Sequence, residues 1–153
     1  MTRSELREHS FRILFSSEFL SETGMDELIR QYLENFAEEE LTENDISFIR
    51  SEVEGTLTHL EEIDPKISSV LKGWTMERIS REDRAILRMA LFEMDHWKKQ
   101  DIPASVSISE AVELAKKYSP NETGAFVNGV LANFAKDAPR KNETKKKPRE
   151  KAE

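Results

Sequence analysis

Apolar side chains in this chain return every three and four residues, and little interrupts them. Ile108, Ala111, Val112, Ala115 and Tyr118 form one such stripe, and Val127, Val130, Leu131 and Phe134 form another. That spacing gathers apolar groups on one face of an α-helix, whereas a half-buried strand needs strict alternation. Only Ser105-Val-Ser-Ile-Ser109 hints at alternation, and its Ile108 already belongs to a helical stripe. Five glycines and five prolines in 153 residues leave room for long helices. The pattern predicts an all-α fold, a compact bundle of about seven helices.

The local signals place those helices. The first is expected over residues 4–20, with Phe11, Phe15 and Phe19 broadening an apolar face that includes Leu6, Ile13 and Leu14. Gly24 is available as a left-handed stop. A second helix is expected over 26–36, and a third from Thr42 or Asn44, either of which can cap it, to about residue 62. Asp64-Pro65 reads as the start of a fourth, because Pro fits the first helical position, where no N–H is needed. That helix should reach Gly73-Trp74. Ser80 followed by Asp83 resembles a capping box at the head of a fifth helix running to about residue 99. Asp101-Ile-Pro103 and Ser119-Pro120-Asn121 are the breaks before the sixth and seventh. The apolar pattern ends at Asp137, so residues 1–137 are expected to form one helical domain, and the charged residues 138–153 a disordered basic tail.

Composition narrows the functional classes. A chain of this length buries roughly 70% of its unfolded surface, enough for one core. Cysteine is absent, which excludes disulfides, thiolate zinc sites and cysteine nucleophiles. No apolar run approaches the roughly 18 residues of a membrane span, and Met1-Thr-Arg-Ser-Glu-Leu lacks the apolar core of a signal peptide. A cytoplasmic protein with no membrane partner is expected. The net charge of −7 is uneven. Residues 138–153 hold seven Lys/Arg and three Glu, leaving 16 of the 23 basic and 27 of the 30 acidic side chains in residues 1–137, a net of −11 there. An acidic body binds nucleic acid only through a local basic patch or with a basic partner. The tail's Lys145-Lys146-Lys147 would attract any polyanion without selectivity.

Several residue sets invite two readings. Arg81, Arg84 and Arg88 share a helix face, as a phosphate-contacting stripe or as a solvated face paired with carboxylates such as Glu82 and Asp83; composition favours the latter. Arg3 and Arg7 lie one turn apart with Arg12 beyond them, diluted by Glu5 and Glu8. Basic groups at a helix N-terminus oppose the helix dipole, a small cost that makes sense if they serve a ligand. Phe11, Phe15, Phe19, Phe126 and Phe134 can stack on bases or fill a core. Trp74 and Trp97 read as packing anchors. His9, His59 and His96 are isolated in the sequence without metal-ligand spacing, so no metal site and no cofactor are expected. No phosphate loop, GxSxG elbow, HExxH or acid–base carboxylate pair stands out, and the chain is not expected to be an enzyme. Asn128-Gly129 breaks helix propensity, for close packing at Gly129 or for a contact made by Asn128.

The wording of particular segments adds to this. RSELREHSFRILF at 3–15, EEIDPKI at 61–67, Trp74, REDRAILRMALFEM at 81–94, DIPASVSISEAVELAKKYS at 101–119 and FVNGVL at 126–131 occur in an order that resembles the NusB family of bacterial transcription antitermination factors. The resemblance implies an all-helical fold in two packed halves. It implies binding of the single-stranded boxA element of nascent ribosomal RNA, together with the small-subunit ribosomal protein NusE, in a complex with other Nus factors on RNA polymerase. A homodimer in the partner's absence is a further expectation. Arg3, Arg7 and Phe15 match the family's RNA-contacting first helix. Asp83, Glu122 and Phe126 match positions linked to RNA or partner contact; Glu122 and Phe126 are expected to bind RNA with Arg3, Arg7 and Phe15, and Asp83, Arg84 and Arg88 to contact RNA or the partner. Ser4-Glu5 stands where many relatives carry consecutive arginines, which implies fewer phosphate contacts and weaker, less salt-sensitive RNA binding by the isolated chain. Two other functions fit the same residues: a helical protein–protein adaptor without RNA binding, favoured by the acidic body, and a stand-alone relative of the helical domain of ribosomal RNA cytosine methyltransferases.

Overall fold

A computed structural model of the chain describes residues 1–20, 22–36 and 40–137. The expected disordered tail lies outside the described residues. Helix α1 spans Arg3–Ser17, α2 Met25–Leu33, α3 Glu43–Thr58, α4 Leu60–Val70, α5 Arg81–Leu91, α6 Ala104–Tyr118 and α7 Gly124–Asp137. A π-turn, Phe92–His96, and a 3₁₀ turn, Lys98–Gln100, follow α5. The described residues contain no strand. Helix α5 is the axis of the bundle: α1 and α3 pack on it from one half, and α4, α6 and α7 from the other. Ile13, Ile29, Ile49, Ile63, Ile86, Leu87 and Leu131 close the core between them.

The helix starts follow from their caps. Thr2 and Glu5 exchange bonds at the head of α1, the Glu5 N–H donating to Thr2 Oγ1 at 3.1 Å and the Thr2 N–H to Glu5 Oε1 at 2.8 Å. Thr42 and Asp45 repeat the arrangement on α3. Each pair satisfies two backbone donors that a helix end otherwise leaves unbonded.

Four local expectations change. First, α1 stops at Ser17, and Phe19 is 54% exposed instead of enclosed. Second, Gly24 caps α2 with φ −65°, so it is not a left-handed stop. Third, Pro65 lies inside α4, which begins at Leu60 directly after a kink at His59. The carbonyl orphaned by the missing proline N–H belongs to exposed Glu61, where water can serve it, while Ile63, Ile67 and Val70 bury the opposite face. Fourth, the fifth helix does not run regularly to residue 99. At Trp97 the N–H donates back to the Phe92 carbonyl at 3.0 Å, a five-residue step. This inserted residue turns Glu93 into the core and buries Trp97 against Phe48 and Phe92. The Phe92 ring lies on α3 at Gly55, where a Cβ would come within 2.1 Å of it. Gly129, by contrast, faces open space, so close helix packing does not account for it.

Candidate nucleic-acid interface

Helix α6 runs beside α1 in the same direction, joined to it by side chains. Ser4 Oγ donates to Glu110 Oε2 at 2.8 Å near the start. Two turns on, Glu8 receives Lys117 Nζ at 2.7 Å and the Tyr118 hydroxyl, and Arg12 Nε donates to Tyr118 Oη at 3.0 Å. Burial works to raise the Glu8 carboxyl, but Lys117, Tyr118 and Arg12 outweigh it and hold it below the ordinary range. Arg12 and Lys117 remain exposed. Neither residue is among the site residues expected from the sequence, because Tyr118 and Glu8 meet across two helices far apart in the chain.

The predicted site residues divide sharply. Arg3 is exposed at the head of α1, with its guanidinium 4.6 Å over the Phe48 ring. Arg7, expected to lie open beside it, is 3% exposed. Its Nε donates to Glu93 Oε2 at 2.8 Å, and Ser107 Oγ donates to Glu93 Oε1 at 2.8 Å, so α1, the π-turn and α6 meet at one carboxylate. Glu52 on α3 is fully buried beside this pair, and no hydrogen bond of good geometry reaches its oxygens. Burial first and the nearby Glu93 carboxylate second push its pKa well up, against the pull of Arg7 and Ser10. Burial and the neighbouring Glu93 carboxylate therefore favour the uncharged form of Glu52.

Phe15 is half-buried on α1, stacked on Phe11 at 5.9 Å and edge-on to Phe19 at 5.2 Å. Phe126, half-buried on α7, meets exposed Trp74 edge-on at 6.3 Å, so Trp74 caps a surface aromatic pair and does not anchor the core. Glu122 is exposed in the turn between α6 and α7 with φ 53°, in the left-handed region. Asp83 is buried beneath that turn, where it accepts from Ser119 Oγ at 2.5 Å and Thr123 Oγ1 at 2.7 Å. The capping box foreseen at Ser80 is thus only half made. Ser80 Oγ accepts the Asp83 N–H at 3.0 Å, and the Asp83 carboxylate goes to the turn that displays Glu122.

Arg84 and Arg88 are internally paired. Arg84 grips Glu18 through Nε at 3.1 Å and Nη2 at 2.8 Å, and donates to the Met76 carbonyl at 2.8 Å. Arg88 makes two parallel bonds to Asp64, at 2.8 and 2.9 Å, and one to Glu18 at 3.1 Å. Burial opposes ionisation of Glu18, but Arg84, Arg88 and Arg81 prevail and lower its pKa. The partners are Glu18 and Asp64, not the neighbouring Glu82 and Asp83. Only Arg81 of the three is exposed, 4.9 Å over the Phe19 ring.

Taken together, the described residues form an all-helical scaffold that pairs the buried Arg7 with Glu93 and displays cationic side chains along α1 and aromatic ones along α1 and α7. The NusB family profile matches residues 4–136. A transcription antitermination protein NusB from Acetivibrio thermocellus is 42% identical over 136 residues, covering 89% of this chain and 90% of that protein. Among solved structures, NusB of T. maritima superposes with a TM-score of 0.81 at 34% identity, covering 95% of this chain and 98% of the other. A crystal structure of the antitermination factors NusB and NusE with double-stranded RNA matches with a TM-score of 0.75 at 26% identity, covering 90% of this chain and all of the other. The chain belongs to the NusB family, a family of antitermination factors and not of enzymes. No helix among the described residues is long and apolar enough to cross a membrane.

Proposed function

We propose that this protein binds boxA-type single-stranded RNA of nascent ribosomal RNA transcripts jointly with ribosomal protein NusE. In this role it joins other Nus factors on elongating RNA polymerase in the cytoplasm and opposes termination. The observation that carries the reading is the set of exposed cations Arg3, Arg12 and Lys117 with the half-buried ring of Phe15 along α1 and α6, on a chain whose family is established and one of whose structural neighbours is a NusB–NusE–RNA complex. Arg3 supplies a phosphate contact, while Phe15 and Phe126 offer ring faces and edges to unpaired bases. Glu122 accepts from base edges. Arg7 is a positioning residue that fixes α1 against the π-turn, and Asp83 positions the Glu122 turn. Arg84 and Arg88 contribute near the partner through whatever guanidinium surface Glu18 and Asp64 leave free.

Few free cations stand on this surface, and the body is strongly acidic, so a basic partner completes the RNA site. The test is a titration of boxA-type RNA against the protein with and without NusE, with scrambled RNA and a duplex of the same sequence as competitors. NusE should tighten binding, and single-stranded boxA should outcompete both. Equal affinity with and without NusE would defeat the shared site. NusE binding with no RNA preference at all would favour the adaptor reading, which the acidic body also supports.

A further inference from the structure

At the junction of α3 and α4, away from Arg3 and the Glu122 turn, two histidines from distant parts of the chain meet. His59 is the kink residue between the helices, and His96 ends the π-turn. Their rings lie 4.2 Å apart, tilted by 30°. Glu62, one turn into α4, brings Oε1 to 3.4 Å from His96 Nε2, and Asp95 Oδ2 is also 3.4 Å from that nitrogen. His96 Nε2 is shielded from solvent, yet it makes no hydrogen bond. His59 is already oriented: its Nδ1 and the Gly55 carbonyl are 2.7 Å apart, so the ring hydrogen sits on Nδ1 and Nε2 keeps the free lone pair. A ligating imidazole is typically braced in this way by a backbone carbonyl.

We propose that His59, Glu62 and His96 form a binding site for a divalent transition-metal ion of the zinc class, with Asp95 at hand as a fourth donor. One donor atom from each of the three residues lies within 4.8 Å of the others. Zinc bonds of about 2.0–2.1 Å in a tetrahedron set donors about 3.4 Å apart, so the set has to close by about 1.4 Å at most. The contacts of His96 Nε2 with Glu62 and Asp95 are already at that separation. Two imidazole nitrogens with a carboxylate favour zinc, nickel or cobalt over magnesium or calcium, which prefer all-oxygen shells. Lys66 now holds Asp95, so recruiting Asp95 would release Lys66. An ion here would clamp the π-turn to the α3–α4 kink, and that turn carries Glu93, the partner of Arg7.

Zinc uptake is measured by competition with a chromophoric chelator, and cobalt(II) is titrated separately to read its ligand-field absorption. The full-length chain should bind one zinc ion, and cobalt should give the intense visible band of a tetrahedral site. Glu62→Gln and His96→Gln should each weaken zinc binding about tenfold or more, while His9→Gln leaves it unchanged. Circular dichroism confirms that each variant keeps its helices, and exposed Glu62 gives the substitution least able to disturb folding. No stoichiometric zinc binding by the wild-type chain, or binding that survives both Glu62→Gln and His96→Gln, would overturn the proposal. The readout requires no RNA and is independent of the antitermination reading.

Discussion

Arg3 and Arg7 lie one turn apart on α1, in two different environments. Arg7 is enclosed, its charge held by Glu93 with Glu52 buried alongside, and burial works against that charge while Glu93 outweighs it. Arg3 lies over the exposed edge of the same structure, resting on Phe48. The difference teaches that on one helix face a guanidinium can tie elements together or await a ligand, and its tertiary partner decides which. Removing one partner of a buried pair leaves an uncompensated charge, whereas an exposed cation can be removed at little cost to folding.

The largest effect expected is that of Arg7→Ala, which strands Glu93 in the core. It should cost about 3–5 kcal/mol in urea unfolding; an unchanged midpoint would erase the distinction between the two arginines. Gly55→Ala drives a methyl into the Phe92 ring and strains the π-turn that presents Glu93, costing about 1–3 kcal/mol in the same measurement.

Glu18→Gln tests an intermediate environment, because its arginine partners are only partly screened. A loss of about 1–2 kcal/mol at neutral pH is expected, between the buried and exposed limits. The folded pKa of Glu18 lies below its ordinary 4.5, so this contribution is complete above that pH and disappears as pH falls through the lowered value. Stability of the wild type and of Glu18→Gln should therefore converge in acid.

Glu52→Gln runs the other way. The folded pKa of Glu52 is raised, so wild-type folding is penalised progressively as pH climbs above the ordinary carboxyl range. The amide should therefore raise the melting temperature more at pH 8 than at pH 5. An equal shift at both would mean that Glu52 is not held neutral. Arg3→Ala is expected to have the smallest effect on stability, about 0.5–1 kcal/mol from its contact with Phe48.

The helical class, the caps at Thr42 and Ser80, and the stripes on α6 and α7 were legible because each depends on residues within a turn or two. The π-turn was not, since Phe92 reaches Gly55 and Glu93 reaches Arg7 across the fold. The spacing of Arg3 and Arg7 marked them as a pair but carried no information about Glu93, far along the chain. The same holds for Arg84 and Arg88, whose partners are on the α1 exit and α4. His59 and His96 showed no ligand motif because three-dimensional packing, not spacing, brings them together.

The most direct test of the RNA surface is the salt dependence of boxA-type RNA binding by the NusE complex of the Arg3→Ala variant. The account predicts weaker binding and a log K–log salt slope shallower by about 0.7–0.9, as for one lost phosphate contact, with folding essentially intact. Affinity and slope identical to the wild type would place the RNA elsewhere and contradict the role assigned to the open side of α1.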